Sequence, residues 1–276
     1  MLMNKIAVIL PVYKNDKVDY LSKAIDSIAF QTYKDFHIYI GVDGPVDGGI
    51  KDYLKQIDEK SKVNVIWYDV NRGLACVLND LLEICFKEGY EYIARMDADD
   101  ISEFDRFEKQ VKYLDEHPQI DVVGGAISEI DEKGESRNKT IIYPETPSEC
   151  REFFARRNPH AHPAVMFRKS FFDKLAGQKY RPEYRQNQDT MLWYDGMMAG
   201  TQHANIPDVI LKFRMTDTMF KKRRNGWNFG KKQFLDRLKI NRGLGYGFGA
   251  DVYGFAMLCM LVSPAWVKKI AYRVFR

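Results

Sequence analysis

Over its first hundred residues the chain switches back and forth between two hydrophobic rhythms. Ile6 to Leu10 is an unbroken apolar run, Val18, Leu21, Ile25 and Ile28 recur at helical spacing, and Phe36 to Val42 is apolar again. Ile50 to Ile57 returns to the helical period, and Val63 to Trp67 is a third strand-like run. Leu74, Val77, Leu78, Leu81, Leu82, Cys85 and Phe86 form a helical stripe, and Tyr92 to Met96 is a fourth apolar run. Short apolar runs read as buried strands, and stripes of period 3.6 read as helices lying on them. This βαβαβαβ order predicts an α/β fold with a largely parallel sheet and helices on both faces. The carboxyl ends of parallel strands share one edge. Asp43, Asn71 and Asp97 each follow a strand and should gather there.

The second half is less regular. Ile101 to Phe104 reads as a turn into a helix marked by Phe104, Phe107, Val111 and Leu114. Asp121 to Ile130 reads as a strand ending in the turn Asp131 to Gly134, and Ala164 to Phe167 as another short strand. Asp189 to Met198 is expected to be helical and to stop at Gly200, with Val209 to Leu211 as the last strand. The alternate glycines from Gly243 to Gly249 are the best candidate hinge. The pattern predicts a catalytic-type domain over residues 1–220, with halves of about 1–115 and 116–220, and a helical extension over residues 221–276.

With 276 residues and 45% apolar content, the chain can build one large α/β domain or a domain with a smaller appendage. No apolar run approaches the ~20 residues of a membrane helix. Lys5 leads straight into the first strand, so no signal peptide is expected. Cys76, Cys85, Cys150 and Cys259 form no C-x-x-C pair, and reduced thiols in a cytoplasmic protein are the expectation. The net charge of +4 is unevenly spread: from Ile210 onward 15 Lys and Arg face 3 Asp, a balance of +12 that leaves −8 elsewhere. A tail this basic is expected to face anionic material.

The candidate chemistry centres on Met96-Asp97-Ala98-Asp99-Asp100, three carboxylates within four positions at the end of a strand. Adjacent carboxylates repel and need a cation to stay ionised together. A hard divalent ion, Mg²⁺ or Mn²⁺, shared with a phosphate would satisfy them; a solvated acidic turn is the other reading. Several further residues carry two readings each. Asp43, before Gly44 and Pro45, is a turn former or a ligand group. Asn71 is a helix cap or a ligand contact. Asp189 is a helix-start charge or a base. His162 is a packed imidazole or a site residue. His160-Ala161-His162 lacks the further ligands a zinc ion would need.

Taken in order, these motifs resemble the family 2 glycosyltransferases. The match runs from Ile6 to about Arg214. It comprises Val8-Ile9-Leu10-Pro11-Val12-Tyr13-Lys14-Asn15, Ser27-Ile28-Ala29-Phe30-Gln31-Thr32-Tyr33, Gly41-Val42-Asp43-Gly44, and Asn71-Arg72-Gly73-Leu74-Ala75 with Asn79. It continues through Ile93-Ala94-Arg95-Met96-Asp97-Ala98-Asp99-Asp100, Arg106 and Gln110, His162-Pro163-Ala164-Val165-Met166-Phe167-Arg168, and Gln188-Asp189. Gly44 stands where the family usually has a second Asp, and Gln188 where it usually has Glu.

The resemblance implies a GT-A fold with a Rossmann-like, mostly parallel sheet, and inverting transfer of a sugar from a UDP-sugar with Mn²⁺ or Mg²⁺ as cofactor. On this footing Asp99 binds the metal, and Asp97 contacts ribose or the metal's shell. Pro11 and Tyr13 shape the base pocket, where Tyr13 either stacks on the base or packs. Asp43 would accept the uracil imide N–H. Asn71, Arg72 and Gly73 would face the donor, as would Ala98 and Arg95, the latter pairing with the acids or with the donor. Asp189 would be the general base. His162, Gln188 and Trp193 would line the acceptor or diphosphate side, Trp193 as a floor for a sugar ring or as core. Asp100 is expected to point away and cap the next helix.

The tail carries Lys221-Lys222-Arg223-Arg224, a helical pattern from Trp227 to Ile240, and a charge-free run from Val252 to Val267. Val267, Ile270, Ala271, Val274 and Phe275 then share one helical face, with Lys268, Lys269, Arg273 and Arg276 elsewhere. Such a segment lies on an anionic membrane or packs as a helix pair on the catalytic domain. No nucleic-acid module is present, and no nucleic-acid partner is expected. The expectation is a peripheral enzyme at the cytoplasmic membrane's inner face that extends a lipid-linked glycan acceptor in surface polysaccharide synthesis. The alternatives are a sugar-nucleotide pyrophosphorylase, whose Gly-rich phosphate loop is replaced here by Pro11-Val12-Tyr13-Lys14, and a catalytically silent sugar-nucleotide-binding scaffold.

Overall fold

The computed structural model describes residues 6–58, 62–216 and 226–263. The four apolar runs become β1 (Ile6–Val12), β2 (Phe36–Val42), β3 (Val63–Trp67) and β4 (Tyr92–Arg95), paired in parallel in the order β3-β2-β1-β4. The stripes between them become α1 (Val18–Ala29), α2 (Gly48–Asp58) and α3 (Leu74–Lys87). Strand alternation decides which face each helix covers. Ile6, Val8, Leu10 and Val12 share a core with α1 and α2 through Leu21, Ile25, Ile50 and Leu54. α3 covers the other face, so close to β2 that a Cβ on Gly41 would collide with Val77 Cγ1.

The sheet continues through β5 (Ile101–Ser102), β6 (Val122–Ile130), β7 (Ser136–Ile141), β8 (Met166–Arg168) and β9 (His203–Arg214). The full order is β3-β2-β1-β4-β8-β6-β9-β5, with β7 beside β6. β8 runs antiparallel to β4 and β6, whereas β6 and β9 are parallel. α4 (Arg106–Glu116), α5 (Pro147–Phe154), α6 (Lys169–Lys174) and α7 (Gln188–Met198) complete this part of the chain. The result is an α/β architecture with a mostly parallel sheet flanked by helices.

Three expectations are corrected. Ile101 and Ser102 form a strand rather than a turn, because they pair with Lys212 and Leu211 of β9. The last strand runs over 12 residues, not three, and absorbs Pro207 and Asp208 in a register shift against β6. Ala164 belongs to a 3₁₀ turn, His162–Ala164, and the strand begins at Met166.

The sheet positions a crevice. The chain leaves β1 for β2 on one side and returns to β4 on the other. β1 and β4 pair only from Ile6 opposite Tyr92 to Ile9 opposite Arg95, and then part. Pro11 sits beyond that point, opposite Gly41 of β2. A split between neighbouring strands at their carboxyl ends is where open α/β sheets hold ligands.

Close contacts divide the chain into two units, residues 1–151 with 158–214, and residues 152–157 with 215–276. Within the second, α8 (Trp227–Leu244) and α9 (Phe248–Val262) form an antiparallel hairpin. Its turn is the glycine-rich segment read as a hinge, with Gly245 at φ 74° closing α8. Ile240, Leu244 and Leu258 are buried in this unit, and Arg237 lies over the Phe154 ring. Lys221 to Arg224 and the face from Val267 to Phe275 lie outside the described residues. Among the described residues no helix is long and apolar enough to cross a membrane, and all four cysteines are free.

Candidate active site

β4 ends at Arg95, and the chain turns through Asp97, Ala98, Asp99 and Asp100 before β5. Carboxylate oxygens of Asp97, Asp99 and Asp100 lie within 4.8 Å of one another. Asp97 and Asp99 are partly exposed and Asp100 is buried. Burial, and then the charge of Asp97, push the Asp99 carboxyl up to about 6. Asp100 is raised well above the ordinary carboxylate range by burial and then by Asp99. Two reachable, mutually repelling carboxylates suit a hard divalent ion that takes one or two protein oxygens and completes its shell with phosphate and water. The residues present therefore fit Mg²⁺ or Mn²⁺.

The buried surroundings hold this turn in place. Arg95 is 3% exposed and its Nη2 donates to Asp97 Oδ1 at 2.5 Å. The strand ends at Arg95, so the pairing is made by the turn that follows and not by two positions on one strand face. Arg106 Nη2 donates to the carbonyls of Arg95 (2.9 Å) and Val165 (3.2 Å), and its Nε to Gln110 Oε1 at 3.0 Å. Gln110 reaches the carbonyls of Val123 and Ala164. Gln31 Nε2 donates to the carbonyl of Glu103 at 2.6 Å, and its Oε1 accepts the Phe107 N–H at 3.0 Å. Arg106, Gln110 and Gln31 are thus buried ties beneath the acidic turn. Asp100 does point away from the opening, but it does not cap α4, whose preceding residue is Asp105. Instead its Oδ1 accepts the Arg214 N–H at 2.8 Å, while Arg214 Nε donates to the Asp99 carbonyl at 2.7 Å.

Asp43 follows β2, and its carboxylate organises the neighbouring loop. It accepts Asn71 Nδ2 at 2.8 Å and the N–H groups of Arg72 (2.6 Å) and Gly73 (3.0 Å). Gly73 adopts φ +94°, a conformation that L side chains rarely adopt, and it presents this N–H just before α3 begins. Asn71 is therefore no helix cap. Arg72 directs its guanidinium to Asp80 at 2.5 Å and over the Tyr68 ring. A donor contact by Arg72 must share or displace that pairing. Tyr13 N–H donates to Asp16 Oδ2, which shapes the loop after β1.

Asp189 lies in the first turn of α7, partly exposed, and its Oδ2 accepts Asn158 Nδ2 at 3.0 Å. Gln188 precedes it with a buried Oε1 that has no hydrogen-bond partner among the described residues. Tyr180 is a further buried side chain near the candidate residues. Its hydroxyl lies 2.7 Å from His162 Nε2, and it feels the charges of Arg95, Asp189 and Asp97. Asn79 grips the Tyr180 backbone from α3, donating to its carbonyl at 2.8 Å and accepting its N–H at 2.9 Å. The sequence reading did not single out Tyr180, Asn158 or Arg214, none of which carries a motif signal beyond its position near one.

Trp193 is corrected. It is fully buried among His160, Phe167, Phe171 and His203, so it is core and not a floor for a sugar. Beside it runs a chain of neutral imidazoles. Asn205 Nδ2 donates to the Pro144 and Pro159 carbonyls, which leaves its Oδ1 to accept from His160 Nδ1 at 2.8 Å. His160 Nε2 must then accept from His203 Nδ1 (3.1 Å), and His203 Nε2 from the Thr201 hydroxyl (2.9 Å). Burial lowers His160 to about 4 and lowers His203 well below its ordinary value.

These depressed values make stability pH-dependent. Both histidines stay neutral in the fold but protonate in the unfolded chain near pH 6.5, so their contribution is present above that value and is lost as the pH falls towards 4. Between pH 7 and pH 5 His160 should cost about 2 kcal/mol, and His203 adds to the loss in the same direction. His162, lowered by burial and then by Arg95, adds in the same direction; Asp99 and Asp100, both raised by burial, have the opposite sign, and Asp99→Asn removes one of those two against the three histidines. The urea midpoint of Asp99→Asn should drop clearly from pH 7 to pH 5; an unchanged midpoint contradicts the neutral chain.

A cavity of about 270 Å³ lined by Ile25, Tyr53, Lys34 and Lys62 lies at the amino ends of β2 and β3, away from these acids. The acids themselves line an open edge.

Fold and site together define a glycosyltransferase of the GT-A type. The chain belongs to glycosyl transferase family 2, whose family model matches residues 7–175. It is 34% identical over 235 residues, 85% of each chain, to the amylovoran biosynthesis glycosyltransferase AmsE of Erwinia amylovora. It is 25% identical to the UDP-Gal:alpha-D-GlcNAc-diphosphoundecaprenol beta-1,3-galactosyltransferase of Escherichia coli, over 79% of this chain and 77% of that protein. Among solved structures it resembles S. aureus TarS 1–349 in complex with UDP-GlcNAc, with a TM-score of 0.66 and 14% identity, covering 93% of this chain and 71% of that one. It spans 42% of a longer TarS chain.

Proposed function

We propose that this glycosyltransferase moves a sugar from a UDP-sugar to a hydroxyl of a lipid-linked glycan acceptor, with inversion, during surface polysaccharide synthesis. The observation that carries the reading is the cluster of Asp97, Asp99 and Asp100 where β4 ends beside β1. The relatives named above, and the nucleotide-sugar complex of the similar structure, support the donor class. Pro11, Tyr13 and the loop held by Asp43 would bound the nucleoside, and Ala98 would let it approach the acidic turn.

In this reading the Asp189 carboxylate accepts the proton of the acceptor hydroxyl as its oxygen attacks the anomeric carbon. The bond from that carbon to the diphosphate breaks, and UDP leaves with the electron pair. A divalent ion held by Asp99 and Asp97 would supply positive charge to the leaving diphosphate. Arg95 holds Asp97 in place, and Asn158 orients Asp189. His162 and Gln188 would line the acceptor side. The enzyme would work at the inner face of the cytoplasmic membrane, with its basic tail towards the lipid.

A panel of UDP-, GDP- and dTDP-sugars tests the donor assignment by thermal shift with Mn²⁺ present. UDP-sugars should raise the melting temperature, by an amount equivalent to about 2.7 kcal/mol at a hundredfold excess over Kd. Stabilisation by GDP- or dTDP-sugars alone refutes uridine as the base.

A further inference from the structure

We infer that the α8–α9 hairpin is a docking face for an anionic lipid bilayer, with α9 lying in the plane of the surface. The inference rests on the membrane placement proposed above and assigns it to particular side chains. Phe248, Val252, Phe255, Cys259 and Val262 are all exposed. Their spacing of four, three, four and three residues puts them on one stripe of α9. Phe248 is 82% exposed and Phe255 55%. The adjoining side of α9 packs on α8, where Leu258 is buried, a Cβ on Gly230 would meet its Cδ1 at 2.9 Å, and the Phe255 ring meets Phe234 edge-on with centroids 5.9 Å apart. Asp251 is the one ionisable carboxylate in α9, and its Oδ1 accepts Asn241 Nδ2 of α8 at 2.7 Å.

α8 supplies the complementary charge. Lys231, Lys232, Lys239 and Arg242 are exposed, together with Trp227 and Leu235. Asp236, the one acid in α8, is 8% exposed. An apolar stripe beside exposed cations and an aromatic residue fits lipid headgroups over an acyl boundary. A second copy of the chain fits less well, because it would bring like-charged helices together. At 15 residues α9 is roughly 22 Å long, short of the ~30 Å hydrocarbon core, so it lies on the bilayer and does not span it.

Co-sedimentation of the full-length protein with phosphatidylcholine vesicles, with and without phosphatidylglycerol, tests this without nucleotide or acceptor. A failure here therefore leaves the glycosyltransferase reading standing. Binding should require phosphatidylglycerol and weaken at high salt. Val252→Glu/Phe255→Glu should bind at least tenfold more weakly, and Lys231→Glu/Lys239→Glu at least fivefold more weakly per cation. Both variants should keep the parent's helical circular dichroism, and Val252→Glu alone should reproduce part of the loss of binding, since Phe255 also meets the Phe234 ring of α8. A dye on Cys259, in a Cys76→Ser background, should shift to the blue when anionic vesicles are added. The inference is overturned if the parent does not partition, if the variants bind as it does, or if the stripe mediates a dimer that Val252→Glu/Phe255→Glu dissolves.

Discussion

Asp99→Ala should lower sugar transfer by about a thousandfold or more, equivalent to roughly 4 kcal/mol of transition-state stabilisation. It should also remove the effect of Mn²⁺ on UDP binding. The expectation follows from the surroundings of the carboxylate. Asp99 is pushed up to about 6 by burial and by Asp97, so without a cation it carries its charge at a cost. A divalent ion repays that cost and places positive charge where the diphosphate departs. The substitution should not disturb the fold, because Arg214 holds the Asp99 carbonyl and not its side chain. Removing the repulsion with Asp97 should leave the melting temperature level or higher. Isothermal titration with UDP, with and without Mn²⁺, reads the binding, and initial rates read the transfer. Retention of Mn²⁺-dependent UDP binding would move the metal site elsewhere.

Asp189→Asn should separate binding from chemistry. An amide keeps the size of the carboxylate and can still accept Asn158 Nδ2, so α7 and the loop before it should stay in place. It cannot take a proton from a hydroxyl at neutral pH. General-base groups typically contribute 10²–10⁴-fold, and a loss of about a thousandfold in kcat is expected with the donor's KM within about twofold. Equal losses in donor binding would make Asp189 a binding residue. Transfer at the parental rate would place the base on another side chain.

How much of this was legible in the sequence varied with the physics. The first four strands and three helices announced themselves through long, clean periodicity, and the acids after β4 were visible because their spacing is dense. β9 was truncated in the reading because Pro207-Asp208 has the composition of a turn, yet a bulge carries both residues within the strand. β5 is two residues long and owes its existence to β9, a partner more than a hundred residues away. Motifs alone could not say which residues meet a ligand and which hold the frame. Arg106, Gln110 and Gln31 proved to be buried ties, and Trp193 proved to be core. The histidine chain could not be foreseen, since its members become partners only when β6, β9 and the turn at His162 come together. Tyr180 has no local signature; its backbone is held by Asn79 of α3, 101 residues away in sequence.

Transfer measured before and after exhaustive chelation tests the central claim most directly. The account predicts that a UDP-sugar is turned over only with a divalent ion, that chelation stops it, and that added Mn²⁺ or Mg²⁺ restores it in the parent but not in Asp99→Ala. Undiminished transfer by the chelated parent enzyme would contradict it.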